Sequence, residues 1–152
     1  VVKTWHTPHG GKLSVARVFN GEIGEGMNVL SAAGDSARVA GVFKQFGANS
    51  EKRGPAKAGE TAAFGKLDPV KTSETITTGK QAVLQLAPLS PPPPVMALAI
   101  AARDRKDDVK LGLALNKLVD EDPSLVVQHN TETGEIVLWG QGEMHLRVAI
   151  ER

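Results

Sequence analysis

The sequence contains no cysteine and no tyrosine, and aromatic residues make up only 4% of its 152 residues. The absence of cysteine excludes disulfides, thiol catalysis and cysteine-type zinc sites. The formal net charge is +1, so bulk charge does not predict nucleic-acid binding, although a local basic face could still bind RNA. No signal peptide is visible, and no apolar run reaches the roughly 18 residues of a membrane helix. We therefore expect a cytoplasmic protein with an aliphatic core and no membrane partner.

The run from Pro91 to Pro94 divides the chain into two halves with different patterns. Proline fixes φ and lacks a backbone N–H, so consecutive prolines cannot lie inside a helix or a central strand. We interpret the run as a semi-rigid spacer rather than as a ligand of SH3 or WW domains. The sequence thus predicts two small domains joined by a proline-rich hinge over residues 89–94.

The first half, residues 1–88, has the pattern of an all-β domain. Short apolar stretches alternate with glycine turns, which favours a closed or nearly closed β-barrel, because closure removes exposed strand edges. The predicted strands cover residues 1–5, 12–19, 27–30, 38–46, 61–67 and 81–86, with a further short strand near Ile76. The polar stretch 47–55 is predicted to be a loop.

The second half, residues 95–152, has the pattern of an α+β domain. The apolar run 95–101 predicts a strand, and the helical spacing of apolar residues between Leu111 and Val119 predicts a helix that ends at Asp122-Pro123. Two strands then flank the hairpin loop 130–134, and Glu143 begins a second helix. The order β-α-β-β-α is that of a ferredoxin-like unit without its last strand, so we expect this domain to be incomplete at its C-terminus.

Gly112 and the two ends of the chain each raise a further question. Gly112 inside the first helix is either a tolerated surface glycine or a point where another backbone approaches closely, and both readings stay open. Neither chain end carries a cap or a stop signal, which suggests a piece of a longer protein.

Two patterns near the N-terminus suggest ligand sites, and neither satisfies the chemistry. Gly10-Gly11-Lys12 resembles the end of a phosphate-binding loop, but His6 and Leu13 stand where glycine and Ser or Thr are needed. His6 and His9 flank one turn, but a metal site needs three or four ligands and no other ligand is nearby. We expect no cofactor and no metal in this chain.

Charged residues of the second half do not form a predicted active site. Glu143 and His145 are two residues apart and do not share a helix face, so no catalytic acid–base pair is predicted. The basic cluster within residues 103–110 is interpreted first as a solvated charged face, with a phosphate-contacting patch as the alternative.

A set of short motifs spreads over nearly the whole chain. In the first half they are residues 2–4 (VKT), 11–14 (GKLS), 17–22 (RVFNGE) and 58–61 (AGET). In the second half they are residues 111–115 (LGLAL), 121–125 (EDPSL), 132–134 (ETG), 140–143 (GQGE) and 145–146 (HL). Together they resemble elongation factor G and its close relatives among the ribosomal translocase GTPases.

The chain departs from that family's pattern at three places. Residues 72–76 (TSETI) stand where the family usually has Thr-Gly-Asp-Thr-Leu, and Arg147 stands where it usually has Glu. His9 replaces a common aromatic or bulky residue. These departures suggest an elongation factor G-like paralogue rather than the housekeeping factor.

The resemblance implies that residues 1–88 are the family's second domain, a β-barrel, and residues 95–152 most of its third. Family members bind and hydrolyse GTP with Mg²⁺ in a preceding G domain, so this chain is expected to have no enzymatic activity alone. The implied partners are the ribosome, through its small-subunit RNA and proteins, and the G domain and later domains of the same polypeptide. The implied protein is monomeric, and its role is to couple the nucleotide state to ribosome binding and domain rearrangement in protein synthesis.

The same resemblance gives candidate site residues. Those for contact with ribosomal RNA are Lys12, Arg17, Lys44, Arg103, Lys106 and Lys110. Those for an interdomain face are Gly142, Glu143 and His145.

Two other functions stay open. A self-contained RNA-binding β-barrel module would bind naked RNA, although the scarcity of aromatic residues argues against a stacking platform. A small ferredoxin-like enzyme would need a convergent acid, base or nucleophile, and the sequence shows no such set.

Overall fold

The computed structural model describes residues 1–7, 11–47, 49–79 and 85–151. The chain forms two compact units, Val1–Leu89 and Ser90–Arg152, and each is described by itself. The regular secondary structure of the described residues is mostly β-strand, with two α-helices and one short 3₁₀ turn, all three of them in the second unit.

The strands of the first unit fall into three hydrogen-bonded sheets. Their bounds are β1 Lys3–Thr7, β2 Gly11–Arg17, β3 Glu22–Ile23, β4 Asn28–Ser31, β5 Ser36–Arg38, β6 Val42–Phe46, β7 Asn49–Arg53, β8 Ala56–Lys57, β9 Thr61–Gly65 and β10 Ile76–Thr77. The sheet orders are β1-β2-β9-β6-β7, β10-β4-β5 and β3-β8. Every pairing is antiparallel. Because the described strands form three separately bonded sheets, closure into a barrel stays a prediction.

The core of the first unit is aliphatic around a single aromatic ring, in agreement with the composition. Phe64 on β9 is fully buried, and its strand pairs on one side with Ser14 and on the other with Val42. Small residues such as Ala16 and Ala62 surround it in the same cluster. Close packing of these small side chains compensates for the scarcity of aromatic residues.

Two strand predictions in the first unit were wrong. Residues 38–46 form two strands in different sheets, β5 and β6, with a break at Val39–Gly41. A Cβ on Gly41 would lie 2.9 Å from the ring of Phe43, so glycine at this break leaves room for that ring. Residues 49–53, predicted as loop, form β7 and pair with β6 over its full length. This edge strand has four exposed polar residues out of five, and edge strands tolerate such polarity because the backbone pairing holds them.

The other strand predictions of the first half match closely or lie outside the described residues. Predicted strands 1–5, 12–19, 27–30 and 61–67 correspond to β1, β2, β4 and β9 with shifts of up to two residues at their ends, and the short strand at Ile76 is present. Of the predicted strand 81–86, residues 81–84 lie outside the described part of the chain.

The second unit has the predicted element order β-α-β-β-α. Its elements are β11 Met96–Ile100, the 3₁₀ turn Arg105–Asp107, α1 Asp108–Glu121, β12 Val126–His129, β13 Ile136–Gly140 and α2 Glu143–Glu151. The sheet order is β11-β13-β12, with β13 antiparallel to both neighbours. Both helices contribute to one core, in which Leu115 of α1 and Leu146 of α2 pack with Leu138 of β13.

Of the two open readings of Gly112 on α1, the structure supports the tolerated surface glycine. A Cβ built on it has no neighbour within 4 Å, so no other backbone approaches this helix face in the described residues.

Candidate functional site

Gly140 ends β13 at a position where no larger residue fits. A Cβ on Gly140 would lie 2.7 Å from Leu146 Cδ2 and 3.1 Å from His145 Nδ1. Leu146 is fully buried, and a close-packed core does not give way by that distance without cost. Glycine at position 140 therefore allows the first turn of α2 to pack directly on the end of β13.

Gln141 joins this turn to the proline run. Its Nε2 donates hydrogen bonds to the carbonyl oxygens of Pro92 and Pro93, at 3.0 and 3.2 Å. The Val95 N–H donates to the carbonyl oxygen of Gly140 at 2.9 Å. Proline residues offer carbonyl acceptors without an N–H of their own, so the amide group of Gln141 is a suitable partner. Pro92 and Pro93 are thus bonded to the second unit, which differs from the predicted hinge over residues 89–94.

Gly142 and Glu143, two of the residues predicted for an interdomain face, shape the start of α2. Gly142 has a φ of 154°, a conformation that favours glycine, and its carbonyl oxygen accepts the Leu146 N–H at 3.1 Å. Glu143 is exposed as the first residue of the helix, where a carboxylate interacts favourably with the helix dipole. The backbone conformation at position 142 therefore accounts for the glycine without an interdomain contact. The Glu143 side chain remains accessible to a partner.

His145, the third predicted interdomain residue, is held by two hydrogen bonds inside the second unit. Its Nδ1 accepts the backbone N–H of Gln141 at 3.1 Å, and its Nε2 lies 3.1 Å from Asp122 Oδ2. Because Nδ1 faces an N–H donor, the ring proton is on Nε2, which donates to the carboxylate. His145 therefore ties the start of α2 to the residue that follows α1.

Asp122 is the centre of this cluster. Partial burial raises the pKa of Asp122, but hydrogen bonds from Ser124 Oγ, the Ser124 N–H and His145 outweigh that effect and bring its pKa below the ordinary value of 3.8. The Ser124 Oγ lies 2.6 Å and the Ser124 N 3.0 Å from Asp122 Oδ1. Asp122 therefore remains a carboxylate at neutral pH and accepts three hydrogen bonds.

The Ser124, Asp122 and His145 side chains have the residue types of a hydrolytic triad in the wrong order. In a triad the histidine lies between serine and aspartate and takes the proton of the serine hydroxyl. Here the aspartate lies in the middle, so Ser124 donates to a carboxylate and the histidine cannot act as its base. The neighbouring open cavity, of about 80 Å³, has room for only about three waters. The cluster is suited to joining two helices rather than to catalysis.

Lys12 is in the wrong place for contact with RNA phosphates. It is only 4% exposed, and its Nζ donates to the carbonyl oxygen of Asp68 at 3.0 Å. A buried ammonium that satisfies a backbone carbonyl is a structural group and cannot reach a phosphate without local unfolding. Because it is buried, Lys12 also cannot serve as the lysine of a phosphate-binding loop.

Arg17 and Lys44, the other two candidates of the first unit, are exposed. Arg17 ends β2, and its Nη1 lies 3.4 Å from Thr61 Oγ1. The Lys44 Nζ lies 4.6 Å from the ring centroid of Phe46, and Phe46 is itself 53% exposed. Both cations are accessible to a charged partner.

The candidates of the second unit, Arg103, Lys106 and Lys110, are exposed before and at the start of α1. Lys106 pairs with Asp104 at 3.4 Å and Lys110 with Asp107 at 2.8 Å. Exposed pairs of this kind contribute little, so a phosphate could replace either aspartate. Residues 103–110 contain four cations and three aspartates, a net charge of only +1 (4 − 3), which is also typical of a solvated face.

Sequence reasoning missed the residues that organise the α2 start. Local patterns place Asp122 only at a helix end and Gln141 only in a turn. Ser124, like these two residues, otherwise enters only through the motifs 121–125 and 140–143 that carry the family resemblance. The Asp-Pro-Ser sequence is a signal for an Asx-type turn, but no sequence pattern shows that His145 completes it from the other helix.

Two classes of feature are absent from the described residues. Across 1–7, 11–47, 49–79 and 85–151, no group of three or more His, Asp or Glu side chains is arranged to hold a metal ion. His9 lies outside these ranges. Within the same ranges, no helix has both the length and the apolar character needed to cross a bilayer.

Comparison with known proteins tests the family resemblance. Residues 91–152 match the family model described as Elongation Factor G, domain III. A protein of Synechocystis sp. (strain ATCC 27184 / PCC 6803 / Kazusa) named Elongation factor G-like protein is 43% identical over 152 residues, which are 100% of this chain and 22% of that protein. The chain is a relative of elongation factor G.

A solved structure shares the fold of this elongation factor G relative. A crystal structure of a Thermus thermophilus protein matches 98% of this chain and 23% of its own, with a TM-score of 0.80 and 31% identity. The family resemblance drawn from the motifs is therefore confirmed. The chain spans about a fifth of the length of the Synechocystis relative, since it covers 22% of it.

Proposed function

We propose that this chain is the relay segment of an elongation factor G-like, ribosome-dependent translational GTPase. In this role it couples the nucleotide state of a G domain elsewhere in the polypeptide to ribosome binding and domain rearrangement during protein synthesis. The observation that carries the proposal is the 43% identity to an elongation factor G-like protein over the whole chain. The match of residues 91–152 to domain III supports it.

The two units are assigned to consecutive domains of that parent. We assign residues 1–88 to the β-barrel second domain and residues 95–152 to the ferredoxin-like third domain, with the connector between them. The antiparallel order β11-β13-β12 with its two helices supports the second assignment, because a strand inserted between β11 and β12 is the split βαβ arrangement.

GTP and Mg²⁺ belong to the G domain and not to this chain. The only lysine that follows paired glycines is Lys12, and its ammonium is bound to the Asp68 carbonyl. That environment does not fit a phosphate group. The relay role therefore requires no catalytic group here, which agrees with the order of side chains around Asp122.

The second unit is suited to transmit motion as one rigid body. The Asp122–His145 hydrogen bond joins the end of α1 to α2, and Gln141 holds Pro92 and Pro93 on the same unit. Rotation between the domains is then absorbed by the connector before Pro92, where residues 85–91 are exposed and have no regular structure. Such hinge movements are a common response to a change in nucleotide contacts.

Salt-dependent ribosome binding tests this function. We expect the full-length protein to sediment with 70S ribosomes, with an affinity that falls as KCl rises because cations replace counterions at RNA phosphates. Single Arg17→Gln and Arg103→Gln substitutions should each weaken binding and reduce the salt slope by about 0.7 to 1. Lys57→Gln, another exposed cation, serves as the matched control. Ribosome binding that does not respond to salt, or no binding at all, would contradict the proposal.

The same assay separates the two remaining functions. A self-contained RNA-binding module would bind protein-free ribosomal RNA as tightly as it binds ribosomes, whereas the relay segment requires the assembled particle. Tight binding to naked RNA would therefore favour the self-contained RNA-binding module over the relay segment.

A further inference from the structure

The outer half of the β6–β7 hairpin projects beyond its sheet. Strand β6 pairs with β7 along its whole length, from Val42 opposite Arg53 to Phe46 opposite Asn49. It pairs with β9 only through Val42 and Phe43. Residues 44–46 and 49–51 therefore form a two-stranded ribbon, which we call the β6–β7 arm.

The arm presents an aromatic ring and a cation together on one face. Lys44 and Phe46 are two residues apart on a strand, so their side chains point the same way. The Lys44 Nζ lies 4.6 Å from the Phe46 ring centroid, within the range of a cation–π contact. Glu51 is the cross-strand partner of Lys44, yet within the described residues Lys44 forms no ion pair.

Phe46 makes no contribution to the core that would explain its presence. Its side chain is 53% exposed, and it is not part of the buried cluster of the first unit. The chain has only four phenylalanines, so an exposed one at the end of a projecting ribbon is available for an external contact. Lys44 approaches the ring from one side, and more than half of the side chain remains open.

We propose that the β6–β7 arm binds an unpaired nucleobase of ribosomal RNA, on which the Phe46 ring stacks while Lys44 contacts the neighbouring phosphate. This inference rests on the function proposed above and assigns to it a residue outside the motifs that carry the family resemblance. An exposed ring beside a cation fits both parts of one nucleotide, since bases stack on aromatic faces and phosphates pair with ammonium groups. A purely apolar protein partner would gain nothing from the cation.

Two substitutions separate the two contacts in the full-length protein bound to 70S ribosomes. Phe46→Leu keeps an apolar side chain but removes stacking, and it should weaken binding by about 5- to 100-fold without changing the salt slope. Lys44→Gln should weaken binding and reduce the salt slope by about 0.7, because one phosphate contact is lost. Phe19→Leu is the matched control, since Phe19 is 73% exposed outside the arm, and it should bind as the unmodified protein does.

A photo-crosslink identifies the partner of the arm. A benzophenone amino acid at position 46 should attach to ribosomal RNA, and mapping should place the adduct at a nucleotide outside a duplex. Attachment to a ribosomal protein alone would overturn the proposal, as would unchanged affinity of Phe46→Leu while the unmodified protein binds.

Failure of the parent function is distinguishable from failure of the arm. If the unmodified protein does not bind ribosomes, the proposed function fails, and the arm proposal, which rests on it, fails with it. If the unmodified protein binds ribosomes and Phe46→Leu binds equally tightly, only the arm proposal fails.

Discussion

The Gln141 side-chain nitrogen lies 3.0 Å from the carbonyl oxygen of Pro92 and donates a hydrogen bond to it. One glutamine thereby connects the turn before α2 to a proline segment that lies nearly fifty residues earlier in the chain. The proline run, interpreted from the sequence as an independent spacer, is bonded at Pro92 and Pro93 to the folded unit that follows.

Replacement of Gln141 should loosen this connection. We expect Gln141→Ala to lower the free energy of unfolding of the second unit by about 1 kcal/mol, because two exposed hydrogen bonds are lost. Prolines have no amide hydrogen, so the Val95 N–H, bonded to Gly140, is the reporter. Its hydrogen exchange should accelerate, whereas Gln128→Ala, at an exposed position on β12, should leave it unchanged. Equal exchange in both variants would refute the connection.

Alanine at two glycines should have opposite effects. Gly140→Ala places a Cβ 2.7 Å from Leu146 Cδ2, so we expect it to destabilise the second unit by about 1–3 kcal/mol. Gly112→Ala meets nothing within 4 Å on α1 and should stabilise it by about 0.5–1 kcal/mol through helix propensity. Denaturant unfolding of both variants measures the two changes in the free energy of unfolding. Destabilisation by Gly112→Ala would show that α1 has a close neighbour.

Acid should weaken the cluster around Asp122. The folded-state pKa of Asp122 lies below its ordinary value of 3.8, so its stabilising effect is complete above that value and is lost as pH falls through the folded pKa. We expect the free energy of unfolding to decrease with acidification below about pH 4, and Asp122→Asn to flatten part of this dependence. Asp35→Asn, at an exposed turn, is the control, and an identical slope in Asp122→Asn and the unmodified protein would contradict the assignment.

Substitutions of Lys12 and Lys44 should distinguish a structural lysine from one that contacts the ribosome. Lys12→Ala removes a buried side chain and its bond to the Asp68 carbonyl, so we expect a loss of about 2 kcal/mol in stability. The salt slope of ribosome binding should not change. Lys44→Gln should leave the stability unchanged and reduce the salt slope, since Lys44 is exposed on the β6–β7 arm. Thermal unfolding and sedimentation at several KCl concentrations measure the two effects, and a reduced salt slope in Lys12→Ala would show that Lys12 reaches a phosphate.

Much of the local structure could be predicted from residue patterns. The helical spacing around Leu115 and the hairpin signal at residues 130–134 predicted α1 and the β12–β13 pair, because both depend on neighbours within a few residues. The edge strand β7 could not be predicted, because its residues are polar and its pairing depends on the backbone of β6. The break at Gly41 was likewise not predictable, because the sequence does not show that the Phe43 ring packs against this glycine.

The candidate site was less predictable than the fold. Lys12 is buried and Lys44 is exposed, although both are lysines in strands. Sequence reading assigned Gly142, Glu143 and His145 to an interdomain face, and the structure gives Gly142 and His145 contacts within the second unit. The two residues before Gly142 also have contacts there. Gly140 admits Leu146, Gln141 binds the proline carbonyls, and His145 binds Asp122.

The linear sequence was enough to indicate the family, the strand and helix periodicities and the absence of cysteine chemistry. These depend on composition, short-range spacing and motif identity, which are properties of the linear chain. The fold was needed to show that Lys12 is buried, that Pro92 and Pro93 are bonded to Gln141, and that His145 contacts Asp122. Those outcomes depend on side chains that lie tens of residues apart and come into contact only when the chain is folded.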